Sequence, residues 1–272
     1  MKTRYILFLI LSCLLCPARL DAGQAPYIFR HIGVANGLPD NYVKSIFRIP
    51  DGRLGVRTTV LLSLYDGSSF SDFPYDTRDN YYIDYDHVIP RQYVDADSRI
   101  WMKERGLLRV FDLSTERYIN NIDSLLFRFG LKEKIADMFI DSNQRYWFVT
   151  SGYSVYSYAP SEKKLEEICT NDEFVRHNGT LREVASYGDL CWMVHRKGMI
   201  RCYDLKQKRF VRQEDFLVGK MKSEDQAILE VLDNGDYWLM WDRGAGYYDT
   251  HTNEWTEMTD IYTNDYTCLL YT

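Results

Sequence analysis

Asp97-Ser98-Arg99-Ile100-Trp101-Met102-Lys103-Glu104-Arg105-Gly106-Leu107-Leu108-Arg109-Val110-Phe111-Asp112 is the stretch from which the rest of the chain can be read. A polar turn signal leads into a short apolar run around Trp101. A polar connection closed by Gly106 follows, and a second apolar run ends at an aspartate. Two apolar runs joined through a glycine-bearing turn form a β-hairpin, and the Asp after the second run opens a further turn.

The cassette recurs. Trp147, Trp192 and Trp238 stand where Trp101 stands, and Gly55 takes that place in the earliest copy. The steps are 46 residues from 55 to 101 and from 101 to 147, 45 from 147 to 192, and 46 from 192 to 238. The turn glycine returns as Gly152, Gly198 and Gly244, and the closing aspartate as Asp66, Asp204 and Asp249. A period held this tightly marks a repeat protein. The residues flanking the tryptophan are apolar too, from Leu54 and Val56 in the first copy to Tyr237 and Leu239 in the last. Side chains alternate sides along a strand, so three apolar residues in a row belong to a strand buried front and back. Short antiparallel sheets repeated at this interval and covered on both sides are β-propeller blades. Helical i, i+3, i+4 spacing is missing from these segments. The expected class is all-β, a propeller of four-stranded antiparallel blades centred near 55, 101, 147, 192 and 238.

Ahead of the repeats, a basic stub at Met1–Arg4 precedes an apolar run from Tyr5 to Cys16, then Pro17 and the small residues Ala18 and Ala22. This reads as a signal peptide over residues 1–22, cleaved after Ala22 or, second, Ala18, and too short to span a membrane. The remainder, 23–272, is long enough for one large domain. A net charge of −6 argues against a general nucleic-acid binder. Four cysteines follow the leader, with no CxxC spacing, so a zinc site is not expected, and no cofactor is expected either. Cys191 and Cys202 lie on the two strands of the fourth hairpin. With Arg196-Lys197 as a two-residue loop, they fall directly opposite one another. Export permits a disulfide there. Directly opposed ladder positions strain such a bond, which favours the alternative of two packed thiols.

The first repeat adds more specific signals. Asn36-Gly37-Leu38-Pro39-Asp40-Asn41-Tyr42-Val43-Lys44-Ser45-Ile46 is followed by Asp51-Gly52-Arg53-Leu54, Thr58 and Tyr65-Asp66-Gly67-Ser68-Ser69-Phe70. This series resembles the two-component regulator propeller repeat, which builds the exported sensor of hybrid two-component systems in Bacteroides-type bacteria. The resemblance covers nearly everything after residue 27. Gly55 replaces the family's tryptophan and Arg57 its glycine, so the first blade is expected to be the least well packed. The resemblance implies a seven-bladed propeller followed by a membrane-anchored kinase. On that basis the chain would carry about five blades as an open or incomplete ring, with a sixth innermost strand beginning near Asn264.

Propellers bind ligands at loops on the channel and one face. The residues before the recurring turn glycine are Arg105, Ser151, Lys197 and Arg243, and His195 and Trp241 sit three residues past their tryptophans. The loop between the first two repeats contributes Tyr82 and Tyr85 beside aspartates and an amide. Aromatic rings beside polar groups suit sugars, the ring covering a C–H face while the polar groups take the hydroxyls. The expected site is therefore Tyr82, Tyr85, Arg105, His195, Lys197, Trp241 and Arg243, and the expected ligand an oligosaccharide or other small molecule sensed in the periplasm. Solvated basic turns and tyrosines packed between blades are the plainer readings of the same residues. Two other function classes stay open: a propeller used for protein interaction or homodimerisation, and an enzyme of the streptogramin-lyase-like kind. Against the enzyme, the five histidines do not recur at one repeat position, and neither a nucleophile elbow nor HExxH occurs.

Overall fold

The computed structural model describes residues 31–75, 80–84, 88–222 and 224–258. The leader, Tyr85 and the sixth strand expected near Asn264 lie outside them. The chain divides into two units, 1–38 and 39–272. The described part of the first holds a short 3-10 helix, Val34–Asn36, ended by Gly37 in the left-handed region at φ 93°.

The second unit is five antiparallel sheets in sequence order. Blade 1 is β1 (Val43–Arg48), β2 (Leu54–Thr58), β3 (Leu61–Tyr65) and β4 (Phe70–Pro74). Blade 2 is β6 (Arg91–Val94), β7 (Arg99–Glu104), β8 (Leu107–Asp112) and β9 (Arg117–Tyr118), with the additional β5 (Tyr81–Tyr82) also paired to β8. Blade 3 runs β10 (Ile135–Ile140), β11 (Tyr146–Thr150), β12 (Val155–Ala159) and β13 (Lys164–Cys169). Blade 4 runs β14 (Leu181–Tyr187), β15 (Leu190–His195), β16 (Ile200–Asp204) and β17 (Arg209–Glu214). Blade 5 runs β18 (Ala227–Val231), β19 (Tyr237–Trp241), β20 (Gly244–Asp249) and β21 (Glu254–Met258). Two short helices, α1 (Ile122–Arg128) and α2 (Glu173–Asn178), lie in the links from blade 2 to 3 and from 3 to 4.

Each repeating tryptophan sits on its blade's second strand, and Trp101, Trp147 and Trp192 point at the following blade. Trp101 and Trp147 are wholly buried and Trp192 nearly so, and Trp101 and Trp192 meet Tyr146 and Tyr237 of the next sheet at ring distances of 5.5 and 4.9 Å. Four buried apolar clusters fill the four junctions between successive blades. Among the described residues no such cluster joins blade 5 to blade 1, and Trp238 is only half-buried. Two of the buried indoles find acceptors at the turn before them. Trp101 Nε1 donates to Asp95 at 2.6 Å and Trp147 Nε1 to Asp141 at 2.8 Å, while the same carboxylates accept backbone N–H groups of their turns. An indole N–H desolvated without an acceptor would be costly.

In blade 1, Phe47 compensates for the missing tryptophan. It pairs directly with Gly55 and lays its ring over the glycine, so that a Cβ at 55 would come within 2.4 Å of Phe47 Cζ. The ring joins Leu62 and Leu64 against blade 2.

The fourth hairpin corrects one expectation. His195 N–H bonds Met199 O at 2.7 Å, and Val194 pairs with Ile200. The connection thus has three residues rather than two, with Gly198 left-handed at φ 91°, a bulged turn that favours glycine at this point. Cys191 consequently faces Tyr203, and Cys202 faces Trp192. Neighbouring register positions point to opposite sides of a sheet. Cys191 lies in the core toward blade 3 and Cys202 in the core toward blade 5, both as free thiols, so the disulfide does not form.

Candidate functional site: the loop face and the charged inner strands

Strands alternate in direction, so the turn between the second and third strands of each blade and the links between blades emerge at one end of the sheets. This loop face carries the expected rim. Arg105 is exposed in the β7–β8 turn. Lys197 is exposed and donates to His177 O at 2.5 Å, fastening its turn to α2. Arg243 pairs at 3.0 Å with buried Asp225 and holds down the link into blade 5. Tyr82 is 61% exposed, whereas its neighbour Tyr81 is buried and accepts the Ile135 N–H at 3.1 Å.

Two of the expected residues are not on the rim. Trp241 is buried in the core between blades 4 and 5, with Trp255 beside it and Gly244 so close that a Cβ there would meet its ring at 2.7 Å. His195 is also buried, because the link into blade 4 folds over it. Its Nδ1 lies 3.1 Å from Gly179 O, Phe174 packs edge-on at 5.1 Å, and Nε2 has no partner among the described residues. Burial lowers its pKa from 6.5 to about 4, so the ring is neutral at pH 7.

The structure adds two exposed rings to Tyr82, Phe127 and Tyr153. Helix α1 is capped by Asn121, whose side chain accepts the Ser124 N–H at 2.8 Å, and carries Asp123 in its first turn and Arg128 in its last, both favourable to the helix dipole. Ile122, Leu125 and Leu126 bury one stripe, which leaves Phe127 outward. Phe127, Arg128, Lys132, Lys134 and Asn121 line an open groove of about 870 Å³. Tyr153 is held at φ 61°, an unusual conformation for a bulky residue, and the Arg176 guanidinium lies 5.6 Å from its ring centre.

A second constellation occupies the inner strands. Ser45, Arg91, Asp137 and Glu183 fall at one repeat position, each 46 residues from the last. Arg91 of blade 2 pairs with Glu183 of blade 4 at 2.5 Å and donates to Ala227 O of blade 5 at 2.9 Å. Lys103 of blade 2 pairs with Asp137 of blade 3 at 2.8 Å and lies 3.7 Å from the centre of the Phe139 ring. Burial pulls Lys103 down and pushes Asp137 and Glu183 up, opposed in each case by the ion partner. These charges tie inner strands together. The landmark residues of the repeat drew attention away from them, although aligning the copies by their period exposes the acid–base pattern.

Among the described residues one trio, Asp236, Asp249 and His251, brings metal-type ligand atoms together. Asp236 already accepts bonds from Tyr247 Oη at 2.5 Å, Asn234 Nδ2 at 2.6 Å, and the Thr250 N–H and hydroxyl at 2.8 Å each. Its lone pairs are committed to the turn.

Blades of this construction define a propeller-type fold. No family model matches the sequence, and no curated protein matches it. Solved structures do share the fold. One is the extracellular domain of a B. thetaiotaomicron protein designated a hybrid two-component system, at 16% identity and TM-score 0.57, covering 85% of this chain and 32% of that one. Another, from the same organism, is the extracellular domain of a designated one-component system, at 14% identity and TM-score 0.54, covering 84% and 31%. PorZ, a surface component of the type-IX secretion system of Porphyromonas gingivalis, aligns at 12% identity and TM-score 0.54, covering 87% and 29%. The chain spans about a third of the length of these neighbours. The likeness is one of fold, and it matches the sensor propellers that the first repeat resembles. No helix among the described residues is long and apolar enough to cross a membrane.

Proposed function

We propose that the chain is the exported, ligand-sensing part of a two-component regulatory protein, and that it reads an oligosaccharide in the periplasm on its loop face. The observation that carries this reading is the presence of exposed Tyr82, Phe127 and Tyr153 rings among amide and basic groups on a fold shared with extracellular domains of such systems. Rings that remain in water at this density are suited to stacking on sugars. The signal would pass to a kinase elsewhere in the polypeptide, and the ligand can bias that kinase only through different affinities for two conformations. The reading assigns the chain no catalysis and no cofactor.

A panel of neutral and acidic oligosaccharides, scored by melting temperature and calorimetry on the exported chain, tests it. A binding glycan raises Tm through linkage, and Phe127→Ala or Tyr82→Ala weakens it at least about fivefold, as loss of a stacking ring should. Binding that is indifferent to both substitutions removes the loop face as the site.

A second reading, a platform for protein partners or a homodimer, draws on the exposed Tyr42, Ile46 and Leu54 of blade 1. Sedimentation velocity separates the two: a monomer at all concentrations, with glycan binding, excludes the homodimer.

A further inference from the structure

The position of Arg57, where the resembled repeat has glycine, carries Lys103, Val149, Val194 and Met240 in the later blades. In blades 1 and 2 the base is buried and reaches an acid of the next blade: Arg57 to Glu104, and Lys103 to Asp137. The second case is one cation with one carboxylate. The first is not balanced in this way.

Glu104 ends β7 at the loop end, Lys44 is the second residue of β1 and Arg57 lies near the end of β2, so strand order gathers them at the junction of blades 1 and 2. Glu104 Oε1 accepts from Lys44 Nζ at 3.1 Å and from Arg57 Nη2 at 2.7 Å, and Oε2 accepts from Arg109 Nη1 at 3.3 Å. Arg57 Nη1 donates to Gln92 Oε1 at 3.1 Å, and the Arg109 guanidinium lies 4.5 Å from the centre of the Tyr75 ring. Among the described residues, one carboxylate thus serves three cations. The Nε–H groups of Arg57 and Arg109 are both buried and find no acceptor among the described residues, and the Arg57 side chain is only 3% exposed. Desolvated guanidinium donors are satisfied best by a further oxygen acceptor that also carries negative charge. Lys44 is a third exposed, which leaves the cluster an opening to solvent, and Arg105 stands exposed in the adjoining turn.

We propose that the junction of blades 1 and 2 is a binding site for one oxyanion, a sulfate, phosphate or carboxylate, either free or borne by a larger ligand. Arg57 and Arg109 supply buried, oriented donors, and Lys44 supplies the mobile cation at the entrance. Glu104 holds the three cations together when the site is empty and competes with the anion for them. The site takes only the acidic group and does not depend on the stacking rings.

The test uses the whole exported chain and inorganic sulfate, exchanged for chloride at constant ionic strength so that general screening is held fixed. Sulfate should raise Tm saturably above chloride, and calorimetry should give a single site. Lys44→Gln, at a partly exposed position, should weaken sulfate binding about tenfold, the loss expected for one charge-assisted hydrogen bond. Glu104→Gln removes the competing carboxylate and should tighten sulfate binding. The reading for each variant is the difference between sulfate and chloride, so a change in basal stability does not obscure it. Galactose 6-sulfate binding more tightly than inorganic sulfate assigns the anion to a sugar ligand, and equal binding assigns it to a free ion; either result upholds the site. Identical responses to sulfate and chloride, or parental sulfate binding in both variants, overturn it.

Discussion

Acidification should expose the cost of burying His195. The ring is enclosed by Gly179, Phe174 and the link into blade 4, with Nε2 unpartnered, and burial lowers its pKa from 6.5 to about 4. The unfolded chain therefore takes up a proton at higher pH than the folded one. Stability conferred by the neutral ring is complete above the unfolded pKa and is lost as pH falls through the window from 6.5 to about 4. Integrated over that window, the loss is about 2 kcal/mol by pH 5 and about 3 kcal/mol near pH 4. Buried carboxylates titrate nearby, so the informative quantity is a difference between two proteins. His195→Asn keeps an N–H directed at Gly179 O but cannot be protonated. Urea unfolding at pH 7, 6 and 5 should show the parent losing about 2 kcal/mol more than the variant. Parallel stability curves for the two proteins would refute the assignment of a depressed His195 pKa.

Asp137→Leu strands the buried Lys103 ammonium and should cost about 3–5 kcal/mol in urea unfolding, while Lys103→Met with Asp137→Leu should recover much of that loss. Phe47→Ala empties the space over Gly55 and should cost about 3 kcal/mol; Phe47→Ala with Gly55→Trp, which restores a ring from the other strand, should recover part of it. Alkylation in denaturant without reductant should label both Cys191 and Cys202, whereas recovery of their peptides as a linked pair would contradict the register of the fourth hairpin.

The sheets were legible because the pattern that builds them is strong. A large ring buried between blades reappears at every junction, as tryptophan at three of them and as Phe47 at the first, and its apolar flanks appear on both faces of the strand. Register was harder to read. The glycine after Lys197 marks a turn equally well with two or three residues in the loop, and only the left-handed Gly198 and its bond pattern decide between them. That single residue of slip sends Cys202 to the other face. The rim was partly legible: Arg105, Lys197 and Arg243 belong to turns at one end of their sheets, a consequence of strand alternation. Trp241 and His195 share that end, yet links distant in sequence fold over them. Phe127 stands out only once the buried stripe of α1 is known. The basic cluster around Glu104 combines positions 44, 57 and 109 from three strands, a grouping that no local motif announces.

The division of the apolar interior into four separate junctions has a mechanical consequence. Each core lies mainly between adjacent sheets, so a pull along the chain would meet resistance one blade at a time. A repeat of 46 residues releases about 160 Å of contour when it opens. Arg91 alters that sequence of events, since it fastens blade 2 to blades 4 and 5 beyond its neighbour. Blade 1, outside that fastening, would open before blades 2 to 5, whose rupture would follow as a larger, coupled event.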